Sequence, residues 1–247
     1  MGLFEDLKDI AVRQGIDCLG IADTTLAADA IREQGGDVVA AFPRAVSIGI
    51  ILPHAVVDQL PLRSDPDVAA NYLHHAYYVI NLRLDQVNSL VSSELQRRGY
   101  RPLPIPTKEH QDEERLCAMF SHKLAAHLAG LGWIGKSCLL VTPEAGPRVR
   151  WTSVLTDAPL EPTGEPMEER CGKCRECVDI CPVGAFTGRN FVHSEPRELR
   201  YEARACRDYF VRLEEEGRPP ACGLCLYVCP FGRNRTASSP ASVISEG

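Results

Sequence analysis

Apolar positions change their period several times along this chain, and each change predicts an element. Leu3, Leu7, Ile10 and Ala11 recur at helical spacing and stop before Gly15, which predicts a helix over 3–14. Residues 16–22 form a short apolar run, read as a buried strand. Thr24 or Thr25 is placed to cap a second helix ending near Gln34, closed by Gly35 and Gly36. AVSIGIIL at 45–52 is apolar without alternation, the pattern of a strand covered on both faces. A loop at 60–67 follows, and Asp67 is expected to cap the longest helix, over 68–98. There Leu73, Ala76, Ile80, Leu84, Val87, Val91 and Leu95 step by threes and fours into one stripe, and Gly99 ends it.

YRPLPIP at 100–106 is interrupted by prolines and reads as a sheet edge or a linker. Residues 115–129 predict an amphipathic helix with Leu116, Met119, Phe120, Leu124 and Leu128 inward. The extended runs at 138–142 and 149–157, either side of a Pro/Gly turn, predict a hairpin. Helices alternating with strands as far as residue 157 give an α/β or α+β domain. The Pro- and Glu-rich stretch 158–170 then marks a boundary. The expected organisation is an α/β cofactor-binding domain over 1–165, a small domain over 166–235, and a Ser/Ala-rich tail at 236–247.

The small domain carries the clearest chemistry. Cys171, Cys174, Cys177 and Cys181-Pro follow the run of bacterial two-cluster ferredoxins, in which the fourth cysteine serves the other cubane. Cys206 and then Cys222, Cys225 and Cys229-Pro complete the set. The spacing therefore assigns one [4Fe–4S] cluster to Cys171, Cys174, Cys177 and Cys229. It assigns the other to Cys181, Cys206, Cys222 and Cys225. Zinc knuckles usually take separated cysteine pairs, so a tight triple followed by Cys-Pro argues against them.

Composition narrows the class. The chain has 247 residues, 45% hydrophobic and 24% charged, with a formal net charge of −6. That balance argues against a general polyanion-binding surface. No apolar run approaches membrane-spanning length, and MGLFEDLKDI lacks a signal-peptide pattern. Cluster cysteines and unpaired thiols point to a reducing compartment, so the expected localisation is cytoplasmic.

Gly130 through Ser137 matches the phosphate-loop pattern letter for letter. That loop needs a strand before it and a helix after it. Here a predicted helix precedes and a predicted strand follows, so nucleotide hydrolysis is not expected.

GLGWIGKSCLLV, VLTDAPL and the split cysteine pattern together resemble epoxyqueuosine reductases and, more distantly, corrinoid-dependent reductive dehalogenases. The resemblance implies a nitroreductase-like α/β domain binding cobalamin, followed by a two-cluster ferredoxin-like module that delivers electrons to it. FMN is the alternative occupant. It implies an external electron donor such as a ferredoxin or flavodoxin, and either a small-molecule substrate or a corrinoid protein as partner. An electron-transfer protein with no substrate of its own stays open. The sequence departs from the family at one point. The family's Asp proton donor lies thirteen residues before the Ala of AGLGWIGK, and counting back from Ala129 gives Leu116. The chain also ends soon after the clusters, where that family continues into helical repeats that hold tRNA. Both departures argue against tRNA as the partner, and no membrane partner is expected.

The same resemblance suggests site residues. His122 and Lys123 fall on the family's catalytic segment, and Tyr77 on a tyrosine of its D-Y-H segment; surface or packing roles remain open for all three. Gly132, Trp133, Gly135, Lys136 and Ser137 are candidates for cofactor contact, because small residues permit close backbone approach. Thr152, Val154, Leu155 and Thr156 are expected to line the same pocket, with Arg148 gripping a cofactor edge or lying in solvent. His54, His110, His127 and His193 take a structural reading, as do Cys18 and Cys138.

Overall fold

The structure is a computed structural model that describes residues 2–107 and 114–233. The tail expected at 236–247 and His110 lie outside the described residues.

Four strands make the main sheet: β1 (Cys18–Asp23), β2 (Arg44–Ile51), β3 (Pro102–Ile105) and β6 (Val149–Thr156). Their order is β1-β2-β6-β3 and every pairing is antiparallel. A two-stranded ribbon joins β4 (Trp133–Ile134) to β5 (Leu140–Val141). The predicted hairpin is corrected here. Run 149–157 leaves its neighbour in sequence and pairs with β2 and β3 at the centre of the sheet. A strand this buried is shared between partners far away in the chain, which local pattern does not encode.

Successive side chains of a strand point to opposite faces. Leu19, Ile21, Val46, Ile48, Ile50 and Val154 face one core, with α1 (Leu3–Arg13) and the long helix. Cys18, Ala22, Ala45, Trp151 and Leu155 face the other, with α2 (Ala28–Gly35) and α3 (Asp37–Ala40). Both faces of β2 are thus covered, as its unbroken apolar run predicts. The β3 edge carries Pro102 and Pro104, which cannot donate to a further strand.

Capping differs from expectation at two helices. Asp23, not Thr24 or Thr25, accepts from the Thr25 amide and caps a short 3-10 turn ahead of α2. After α4 (His54–Asp58), Asp65 rather than Asp67 caps α5 (Pro66–Leu73), because Pro66 occupies the first helical position. A π-helical segment, His74–Val79, joins α5 to α6 (Ile80–Arg97). The predicted stripe is buried from Ala76 to Leu95, while Leu73 is half-buried against the same core. The helix expected over 115–129 is shorter: α7 spans His122–Leu128, with Ser121 accepting from the Leu124 amide at 3.3 Å. Leu116 lies before it on a turn, at φ 52, where a helix cannot run.

The cysteine-rich part contains α8 (Glu176–Asp179), α9 (Ala203–Glu215), α10 (Leu224–Tyr227) and α11 (Pro230–Arg233). It shares a core with the front half, since Ala221 and Leu226 join the cluster formed by Leu60, Tyr72 and Ala76. No helix among the described residues is long and apolar enough to cross a membrane.

Candidate functional site

The eight motif cysteines fall into two groups in space. Cys177 has Cys171, Cys229 and Cys174 as its electrostatic neighbours. Cys225 has Cys222, Cys206 and Cys181, with Cys177 further off. Burial and then mutual repulsion push the Cys177 thiol up to about 11. Burial does the same to Cys229, which also reaches about 11. Four buried thiolates repel one another and need a cationic core between them, which the irons of a cubane supply. Among the described residues no three His, Cys, Asp or Glu converge as for a single metal ion. Each quartet offers four thiolates, the number that a [4Fe–4S] cubane takes, one for each iron.

The segment after α7 is built against the first quartet. Gly130 leaves α7 at φ 75, and β4 follows directly. Lys136 Nζ donates to the carbonyls of Gly172, at 2.6 Å, and Cys174, at 3.2 Å. A side chain at Gly135 would reach Val141 at 2.9 Å and Cys171 Sγ at 3.4 Å. One at Gly132 would meet the Val141 carbonyl at 2.3 Å. Ser137 lines the small hollow between Cys171, Cys174, Cys177 and Cys229. Gly135, Lys136 and Ser137 therefore lie against the first thiol quartet, and Gly132 lies against the backbone of β5. The phosphate-loop reading fails for the same reason, since its lysine is spent on two carbonyls.

The other expected cofactor contacts are also corrected. Thr152, Val154, Leu155 and Thr156 are wholly buried within β6. Thr152 Oγ1 donates to the Ile105 carbonyl at 3.2 Å and accepts from Asn88 at 2.8 Å. Arg148, 1% exposed, pairs with Asp58 at 2.8 Å and reaches His54 Nδ1 at 3.2 Å. It lies between α4 and Gly232, where a side chain in place of the glycine's hydrogen would meet its Nε at 2.9 Å.

Of the catalytic candidates, only Lys123 faces a cavity. His122 keeps both ring nitrogens bonded, to Ser153 Oγ and to the Pro106 carbonyl, each at 3.0 Å. Burial pushes its imidazole down to about 4, so it is neutral near pH 7. Tyr77 packs edge-on against Tyr72, with the Arg150 guanidinium 3.8 Å above its ring. It belongs to the support behind Tyr72, which has Cys225 among its electrostatic neighbours.

Lys123 opens onto a cavity of about 320 Å³ between α7 and the cysteine-rich part. Cys138, Arg197, Arg200 and Phe191 share its walls. Lys123 Nζ donates to the Cys138 carbonyl at 2.6 Å, and burial pulls its charge balance toward the neutral amine. Cys225 of the second quartet is among its electrostatic neighbours. A second cavity of about 500 Å³, walled by Trp133, His127 and Val192, lies beyond Phe191 and His193. The two share Ile134, Phe191 and His193. Trp133 Nε1, Arg197 Nε and Arg200 Nε are buried around these spaces without a partner. Sequence reasoning missed Arg197, Arg200 and Phe191 and gave His193 only a structural role. The segment FVHSEPRELR carries no periodicity that ties it to α7, so no local signal marked it.

Comparison with known proteins bears on these observations. Residues 170–232 match the family of 4Fe-4S double cluster binding domains. An epoxyqueuosine reductase from Escherichia coli is 40% identical over 119 residues, covering 44% of this chain and 29% of that enzyme. One from Pseudomonas aeruginosa is 30% identical over 169 residues, covering 63% of this chain and 40% of that enzyme. The chain resembles the epoxyqueuosine reductases.

The likeness has limits in extent. The chain spans well under half the length of those two epoxyqueuosine reductases. In structure, an epoxyqueuosine reductase with a tRNA-Tyr epoxyqueuosine-modified stem loop superposes with a TM-score of 0.58, at 19% identity over 96% of this chain and 67% of that one. A reductive dehalogenase described in terms of B12-dependent dehalogenation gives 0.67, at 20% identity over 94% of this chain and 32% of that one. These similarities establish a shared fold, mixed α/β with a double-cluster domain. The expectation against tRNA finds no support in them, since one neighbour carries a tRNA stem loop. The Leu116 carbonyl accepts from Arg197 Nη1 at 3.2 Å.

Proposed function

We propose that this chain is an iron–sulfur oxidoreductase of the cytoplasm. Its two [4Fe–4S] clusters pass electrons to a corrinoid in the trough beside α7, for reduction of a small molecule. Cys171, Cys174, Cys177 and Cys229 hold one cluster in this reading; Cys181, Cys206, Cys222 and Cys225 hold the other. The observation that carries it is the sorting of eight thiols into two quartets, the second having Cys225 among the electrostatic neighbours of Lys123. Adjacent clusters make a relay: one takes an electron from a donor such as a ferredoxin or flavodoxin, the other releases it into the cleft.

The donor set suits a corrinoid in kind. The Trp133 Nε1–H, buried without a partner, faces a ligand rich in amide oxygens and phosphate, and Trp133 and Phe191 offer flat apolar walls. In size the cavity of about 500 Å³ suits one only when Phe191 and His193 turn aside and widen it, which leaves the Arg197 and Arg200 end of the smaller cavity for a substrate. A nitroreductase-like ancestry for the front half agrees with a flat cofactor there, and FMN is the smaller alternative. Bound in the trough, a corrinoid would supply a low-potential metal centre. Lys123 Nζ would hold or release a proton at the cleft, more readily than a solvated lysine does. Arg197 and Arg200 would hold negative charge, and Phe191 would exclude water. Leu116, at the position where the resemblance places a proton-donating Asp, supports a second reading, in which the chain passes electrons to a corrinoid protein and has no substrate of its own.

Anaerobic purification followed by metal analysis and visible spectroscopy tests the proposal. It expects about eight irons per chain when both cubanes fill, and a cobalamin spectrum that changes on titration into the protein. Cobalamin whose spectrum stays that of the free compound would remove the corrinoid. A flavin spectrum would replace it with FMN.

A further inference from the structure

Arg200 is 6% exposed, and no ion pair to a carboxylate accompanies it among the described residues. Its Nη1 reaches only the Cys138 sulfur, at 3.9 Å, and its guanidinium lies 4.7 Å from the centre of the Phe191 ring. Its Nε has no partner. A buried cation in that state is costly unless something negative joins it. Arg197, one turn earlier, is held by the Arg115 and Leu116 carbonyls and by Glu198 at 3.3 Å, yet its Nε is also buried and unpartnered. Both side chains line the cavity of about 320 Å³, beside Lys123. Two acids line it as well: Glu33 pairs with Arg115 at 3.5 Å, and Glu195 pairs through Oε1 with Arg189 at 2.9 Å while its Oε2 is buried without a partner. The remaining walls include Leu124, Ile134 and Phe191, which are apolar.

We propose that Arg197 and Arg200 form an anion subsite that takes the carboxylate of a small substrate with an apolar body. A guanidinium presents a planar fork that matches a carboxylate, and two of them a turn apart can share its oxygens. The cavity lies at the small end of ligand pockets, so it takes a single-ring or short-chain acid. This rests on the cleft being the reducing site and adds to it the class of molecule admitted. Lys123 Nζ borders the same space, and Cys225 of the second quartet is among its electrostatic neighbours, so a bound acid would lie beside a proton donor on the side of that quartet.

The competing role for Arg200 is to balance the negative charge of the second cluster. Benzoate and its neutral counterpart benzamide separate the two on anaerobically purified holoprotein. Binding is followed by tryptophan fluorescence, and iron content and cluster potentials are measured on the same samples. Wild type should bind benzoate at least tenfold more tightly than benzamide. Arg200→Gln should abolish that preference with iron content unchanged, and Arg200→Lys should restore part of it. Equal affinity for the two probes, or no benzoate binding, would overturn the subsite. So would unchanged benzoate affinity in Arg200→Gln together with a lowered cluster potential, which assigns the arginine to the cluster. Loss of iron from wild type would instead count against the cluster reading, leaving the two failures distinct.

Discussion

Lys136 Nζ donates to the Gly172 carbonyl across 2.6 Å, fastening the segment that follows α7 to the loop between the first two motif cysteines. The contact turns a motif that looks like a phosphate loop into part of an iron–sulfur scaffold. Lys136→Met removes the ammonium that holds two carbonyls in place, and Gly135→Leu drives a side chain into Cys171. Each variant should keep about four of about eight irons, losing the first cluster and sparing the second. Iron analysis with electron paramagnetic resonance of the reduced proteins checks this; full iron content in both would refute the scaffold role.

The hydroxyl of Tyr201 shares a hydrogen bond with Cys206, a ligand in the proposed second cluster. A donor to a cluster sulfur stabilises the more negative, reduced state and so raises the potential. Tyr201→Phe should lower the potential of that cluster by roughly tens of millivolts and leave the other alone. A redox titration monitored by electron paramagnetic resonance reads both.

His122 should make stability depend on pH. Its folded value, about 4, lies below the ordinary 6.5, so between the two the unfolded chain binds more protons. Stability from this group is complete above about 6.5 and falls as pH drops toward 4. Denaturant unfolding of wild type and His122→Asn at pH 7 and pH 5 measures it. The variant should lose less stability than wild type over that interval.

Leu155 separates a core role from a cofactor role. Its side chain has no exposed surface. Leu155→Ala should cost about 2–5 kcal/mol in unfolding free energy, as a cavity in a packed core does. Cobalamin or flavin uptake by the folded fraction should be unchanged. Reduced uptake at undiminished stability would return Leu155 to the pocket.

How much of this was legible in the sequence depends on how far apart the interacting residues lie. The Ala76–Leu95 stripe and the unbroken apolar run of β2 are local patterns, and the structure realises both. The cysteine spacing was equally plain, because the irons impose it on consecutive residues. The failures are long-range. β6 reads as half of a hairpin until β2 and β3 compete for it. Residues 115–121 carry helical spacing but are drawn into a turn against Arg197. Trp133 lies in the wall of the cavity of about 500 Å³, whereas Gly135, Lys136 and Ser137 line the small hollow at the first thiol quartet. Arg197 and Arg200 look like solvated charges until the fold closes α7 over them.

The account rests on eight cysteines divided as two interleaved quartets. Cys177→Ser and Cys206→Ser, each purified anaerobically and assayed for iron by Mössbauer and electron paramagnetic resonance spectroscopy, test it most directly. Each variant should hold about four irons as one intact cubane, and the cubane that survives should differ between the two. Wild-type iron in both variants, or the same surviving cluster in each, would contradict the assignment.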